Sequence, residues 1–104
     1  MSISQRGEID AVIGGESRVL CLTLGALAEL ESRLQAGDLV GLAERFSSGR
    51  ISARDLTAIL GAGLRGGGNA ITDDDLARFS IEGGLVGAAE IAARLLRATF
   101  GEAA

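Results

Sequence analysis

Glycine cuts this chain into short pieces. Sixteen of its 104 residues are Gly and none is Pro. The breaks between patterned segments therefore fall to a residue that tolerates positive φ, not to one that removes a backbone donor. They come at Gly14-Gly15, Gly37, Gly49, Gly66-Gly67-Gly68 and Gly83-Gly84. What lies between them sets the class of fold.

The first piece, Gly7 to Ile13, alternates Glu8 and Asp10 with Ile9 and Ala11, the period of a half-buried strand. Gly14-Gly15 suits a tight turn, and Ser17 to Leu22 reads as the returning strand. A lone hairpin is marginal in water, so its apolar face is expected to cover the helices that follow. Thr23 is the expected N-cap of the first helix, in which Leu24, Leu27, Leu30 and Leu34 recur at helical spacing and Gly37 is the stop. Leu22 and Leu27 have the spacing of a hydrophobic staple. Asp38 caps a short helix over Leu39 to about Ser47, with Leu39, Leu42, Ala43 and Phe46 inward.

The next two starts share one signature. Ser52 with Asp55 at N3, flanked by Ile51 and Leu56, forms a capping box with a staple, and Ile59, Leu60 and Leu64 continue its stripe. Thr72 with Asp73, Asp74 and Asp75, flanked by Ile71 and Leu76, repeats it and predicts a helix ending near Ile81. The last helix, Leu85 to about Phe100, is the most apolar, with only Glu90, Arg94 and Arg97 as a polar stripe. The expected fold is α+β and mainly helical: an N-terminal β-hairpin over about residues 7–22, packed on four or five short α-helices. One domain spans residues 1–104, with residues 1–6 frayed.

Composition removes most catalytic plans. The chain has no His and no Lys, so the common Ser/His/Asp and Cys/His arrangements, Walker-A lysines and Schiff-base amines are excluded. One Cys without His leaves no ordinary zinc ligand set. Carboxylate chemistry is the remaining enzymatic route, and the chain is expected not to be an enzyme. Charge is even: each half carries five Arg and seven acids, for a net charge of −4. No basic stripe for nucleic acid results. No uncharged stretch is long and apolar enough to span a membrane. A single Cys and a polar, charged start are expected of an intracellular, cytoplasmic protein.

Three local motifs each have a plain structural reading beside a chemical one. Gly61-Ala62-Gly63-Leu64-Arg65-Gly66 spells G-x-G-x-x-G, but it closes a helical pattern where the dinucleotide fingerprint must open one after a strand. Close helix packing followed by a flexible loop is the reading that fits. Asp73-Asp74-Asp75 on a helix point about 100° apart, so helix-start acid is favoured over a metal site. Cys21, in a strand with no base to activate it, is expected to be a buried, inert thiol.

Several segments stand in a familiar order. They are Arg6-Gly7-Glu8-Ile9-Asp10-Ala11, Leu22-Thr23-Leu24-Gly25-Ala26-Leu27-Ala28-Glu29-Leu30-Glu31, Ser52-Ala53-Arg54-Asp55-Leu56, Leu60 to Gly68, Glu82-Gly83-Gly84 and Ala93 to Phe100. The ordered set resembles the small gene-transfer-agent family of alphaproteobacteria, grouped with phage tail assembly chaperones and also labelled a phage tail tube family. The resemblance implies a non-enzymatic tail assembly chaperone that shields the tape-measure protein, the alternative being a structural tube component of the particle. It implies no catalytic residue, metal or cofactor. It implies the tape-measure protein or other tail proteins as partners, and leaves self-association open. The last helix is expected to serve the core first. Leu85, Ile91 and Leu95 on it are the residues chosen as a partner surface.

Overall fold

The computed structural model describes residues 7–34, 41, 46, 49 and 52–101. Among the described residues two strands, β1 (Glu8–Ile13) and β2 (Glu16–Cys21), precede four continuous helices: α1 (Leu24–Leu34), α2 (Ala53–Gly66), α3 (Asp73–Ala77) and α4 (Gly84–Phe100). This is the expected mainly helical α+β arrangement. The strands pair antiparallel from Glu8↔Cys21 to Ile13↔Glu16, closed by a two-residue loop. Gly14 and Gly15 both take positive φ, 67° and 83°, as a type I′ turn requires of both its central residues.

Alternation along β1 buries Ile9, Ala11 and Ile13 on one face. That face lies on α4, and β2 lies on α2. The hairpin thus caps the helical layer with its apolar side, and Leu20 and Leu22 extend the same core. Arg94 of α4 donates to the Asp10 carbonyl at 2.8 Å.

The most enclosed helix is α2, not the more apolar α4. Leu56 and every residue from Ala58 to Leu64 are buried. A stripe of Ile59, Leu60 and Leu64 accounts for one side only. Ala58, Gly61, Ala62 and Gly63 fill the remaining sides with residues small enough for neighbours to approach from several directions. The Leu95 methyl group would lie 2.6 Å from a Cβ on Gly63.

The expected caps are present at three starts. Thr23 Oγ1 accepts from Ala26 N at 3.1 Å. Ser52 with Asp55 and Thr72 with Asp75 form complete capping boxes. Leu24, at the first position of α1, is 84 % exposed and lies outside the apolar stripe, while Ala26 and Leu30 are buried. The stop at Gly37, the staple residue Ile51 and the frayed 1–6 lie outside the described residues. So does the short helix over Leu39 to about Ser47, apart from Gly41 and Phe46, which are helical.

One boundary moves. α3 ends at Ala77, not near Ile81. Gly14 N, in the hairpin turn, donates to the Ser80 carbonyl at 3.1 Å, drawing the chain across to the sheet. Phe79 packs beneath that turn, with the Arg18 guanidinium 5.4 Å from its ring centre. A longer α3 would swing Phe79 and Ile81 off the core.

Candidate functional site

Four charged side chains close a ring where α1, α2 and α3 meet. Arg65, near the end of α2, donates to Glu29 of α1 and, at 3.1 Å, to Asp73 Oδ1 of α3. The same guanidinium reaches the Ile71 carbonyl at 2.9 Å. Arg33 pairs with the other Asp73 oxygen, and at 3.4 Å with Glu29. Two cations and two anions thus neutralise one another. Burial works against the charge on Arg65, but its hydrogen bonds to Glu29 and Asp73 outweigh that and raise its pKa. The guanidinium stays charged in any case.

The glycine motif belongs to this packing. A side chain on Gly61 would collide with the Asp73 carboxylate, and one on Gly66 with the Cys21 carbonyl oxygen. Gly67 is equally tight against the Val19 carbonyl. Asn69 then donates its Nδ2 to Val19 O at 2.8 Å and Leu64 O at 3.0 Å, so the end of α2 is stitched to the outer edge of β2. The segment after Gly66 is held here by these bonds, where a flexible loop was expected.

The three consecutive carboxylates part company. Asp73 enters the ring, Asp74 is exposed, and Asp75 turns back to cap its own helix. Hydrogen bonds from Thr72, helped by Arg78, hold the Asp75 carboxyl below the usual range. Among the described residues no three His, Cys, Asp or Glu side chains gather as metal ligands. Cys21 is half-buried. Burial, and Glu8 facing it across the hairpin, push its pKa up, so the thiol stays protonated.

Beside the ring lies an apolar groove of about 260 Å³. Leu56 and Leu60 of α2, Leu76 of α3, and Phe79, Ile81 and Leu85 form its lining. A more polar hollow of about 410 Å³ adjoins it, lined by Arg33, Arg54, Asp73 and Asp74. Of the residues chosen as a partner surface, only Leu85 is at this edge, 64 % exposed. Ile91 and Leu95 are buried, 9 % and 0 % exposed, and serve the core. They lie two and three turns along α4 on its inward face, which is why a helical stripe joins them to each other but not to a surface. Val86, 69 % exposed, went unnoticed because α4 is apolar on nearly every side. Only the packing separates its free positions from its covered ones.

The fold and this site define a small α+β protein: a hairpin laid over a helical layer, with an open apolar groove flanked by charges. Residues 6–102 match the family described as phage tail tube protein, GTA-gp10. The chain belongs to this family of phage tail and gene-transfer-agent proteins. No curated protein and no solved structure matches it. Among the described residues no helix is long and apolar enough to cross a membrane.

Proposed function

We propose that this protein works by contact, without catalysis, as a structural component of the tail of a phage-like particle. The family description points to the tube. The observation that carries the reading is the apolar groove with Leu85, 64 % exposed, at its edge. Apolar side chains held at a surface beside a hollow are what a protein-binding face requires. The charged cluster next to it is spent on the Arg65 ring, which supports a structural use over a chemical one. Other tail proteins are the expected partners, with the particle as the site of action.

A second reading keeps the same surface but a different client: a tail assembly chaperone that covers the tape-measure protein until the tube forms around it. What favours it is the groove's form. Leu56, Leu60 and Leu76 offer an aliphatic trough that would accept one face of an amphipathic helix. Quantitative mass spectrometry of purified particles decides between the two. A tube subunit is present in many copies per particle. A chaperone is missing from the particle, and its co-expression keeps the tape-measure protein soluble. Absence from particles together with no effect on that client would overturn both readings.

A further inference from the structure

The segment between α3 and α4, residues 78–83, belongs to two places at once. Its Phe79 and Ile81 line the apolar groove together with Leu56 and Leu60 of α2. The same Phe79 lies under the hairpin turn, where a Cβ on Gly14 would stand 3.1 Å from its ring. Arg18 completes that contact. Its guanidinium is 5.4 Å from the ring centre and its Nε donates to the Ile13 carbonyl at 3.0 Å, so one side chain holds both turn and ring. The Ser80 carbonyl accepts from Gly14 N at 3.1 Å. Among the described residues this is the only backbone hydrogen bond that ties 78–83 to an element other than α3 and α4. At the far end Gly83 and Gly84 take positive φ, 87° and 60°, so the segment enters α4 through a bend. Neither Gly14 nor Arg18 lines the groove. They hold its wall from outside.

We propose that residues 78–83 are a strap forming one wall of the groove, and that the hairpin turn is the latch that holds the strap in place. With the latch closed, Phe79 and Ile81 already stand in the groove's lining, and a guest has no wall to order on arrival. With the latch open, the strap carries both side chains away from α2, and the groove loses that wall. A guest that packs on Phe79 therefore favours the closed latch, and the closed latch favours the guest, by the same factor. Gly14 and Arg18 are positioning residues in this arrangement: they act on a guest only through Phe79 and Ser80. The proposal rests on reading the groove as a binding face, and adds what keeps that face in shape.

The isolated chain tests it, with the apolar dye anilinonaphthalene sulfonate as the probe. Dye seated in the groove is located by NMR shift changes at the Leu76 and Leu85 methyl groups. The wild type is expected to bind it there. Saturating dye should slow hydrogen exchange of the Gly14 amide about tenfold, although Gly14 lies outside the groove. Arg18→Met keeps the aliphatic stem but loses the charge over the ring and the bond to Ile13. It should weaken dye binding about fivefold and speed Gly14 exchange. Thr23→Ala is the control. It removes the cap of α1, lowers global stability and lines no part of the groove, so its dye affinity should stay within about twofold of wild type. Unchanged affinity in Arg18→Met, Gly14 exchange indifferent to bound dye, or an equal loss in Thr23→Ala would each overturn the latch and leave the groove standing as a binding face. A wild type that takes no dye into the groove would overturn both.

Discussion

At the residue scale, glycine and carboxylate positions differ in what can give way. A methyl group on Gly66 meets the backbone of β2, which is fixed by the hairpin register and cannot retreat. Gly66→Ala should therefore destabilise the protein by about 2–3 kcal/mol, despite the better helix propensity of Ala. A methyl on Gly61 meets the end of the Asp73 side chain, which can rotate away at the expense of its half-exposed ion pairs. Gly61→Ala should stay within about 1 kcal/mol of wild type, propensity offsetting the lost pairs. Urea denaturation of the two variants measures the contrast. Asp75 makes a prediction in pH. Its folded pKa is depressed, so its contribution is fully present above the unfolded value and is lost as pH falls through the folded one. Asp75→Asn should be less stable than wild type at neutral pH. The gap should begin to close near about pH 4, the ordinary aspartate range, and vanish below the folded value. A difference that persists at low pH would show that the carboxylate charge is not what stabilises the cap.

Among the elements, α2 organises the rest. α1, α3, α4 and β2 all pack on it, and its capping box at Ser52 is the local device that sets where it starts. Ser52→Ala removes the acceptor for Asp55 N and should lower stability by about 1 kcal/mol, read as a fall in the urea midpoint with an unchanged slope. Such caps were legible from the sequence because Ser52–Asp55 and Thr72–Asp75 are partners three residues apart, as were the strand alternation and the Gly14-Gly15 turn. The end of α3 was not, because it depends on Gly14 bonding to Ser80 across the molecule. The ring was hidden for the same reason. Glu29 and Arg65 are 36 positions apart, and nothing in the local pattern of either names the other. The G-x-G-x-x-G letters were readable as packing, but not what they pack against. The groove combines residues of three helices and a link, so only Leu85 of its border was anticipated.

At the scale of the whole molecule, the hairpin and the helices are expected to stand or fall together. Two strands alone are marginal, and among the described residues the helical layer is what covers the inward side chains of this hairpin, Ile9, Ala11, Ile13 and Leu20. Leu95 joins the parts: it is fully buried on α4, in contact range of Gly63 on α2, in the same core as Leu20 beside that glycine. Leu95→Ala should cost about 3 kcal/mol through lost burial and the cavity left behind. Leu24→Ala, at an 84 % exposed position, should change stability by less than about 0.5 kcal/mol. Native-state hydrogen exchange gives the sharper test. If the core is one cooperative unit, Leu95→Ala lowers the protection of β1 and β2 amides by as much as that of α2 amides, although the substitution lies on neither. Hairpin protection that survived while that of the helices fell would mean the sheet has a stability of its own. The helical layer, which carries the groove and Leu85 at its edge, would then be a platform separable from the sheet.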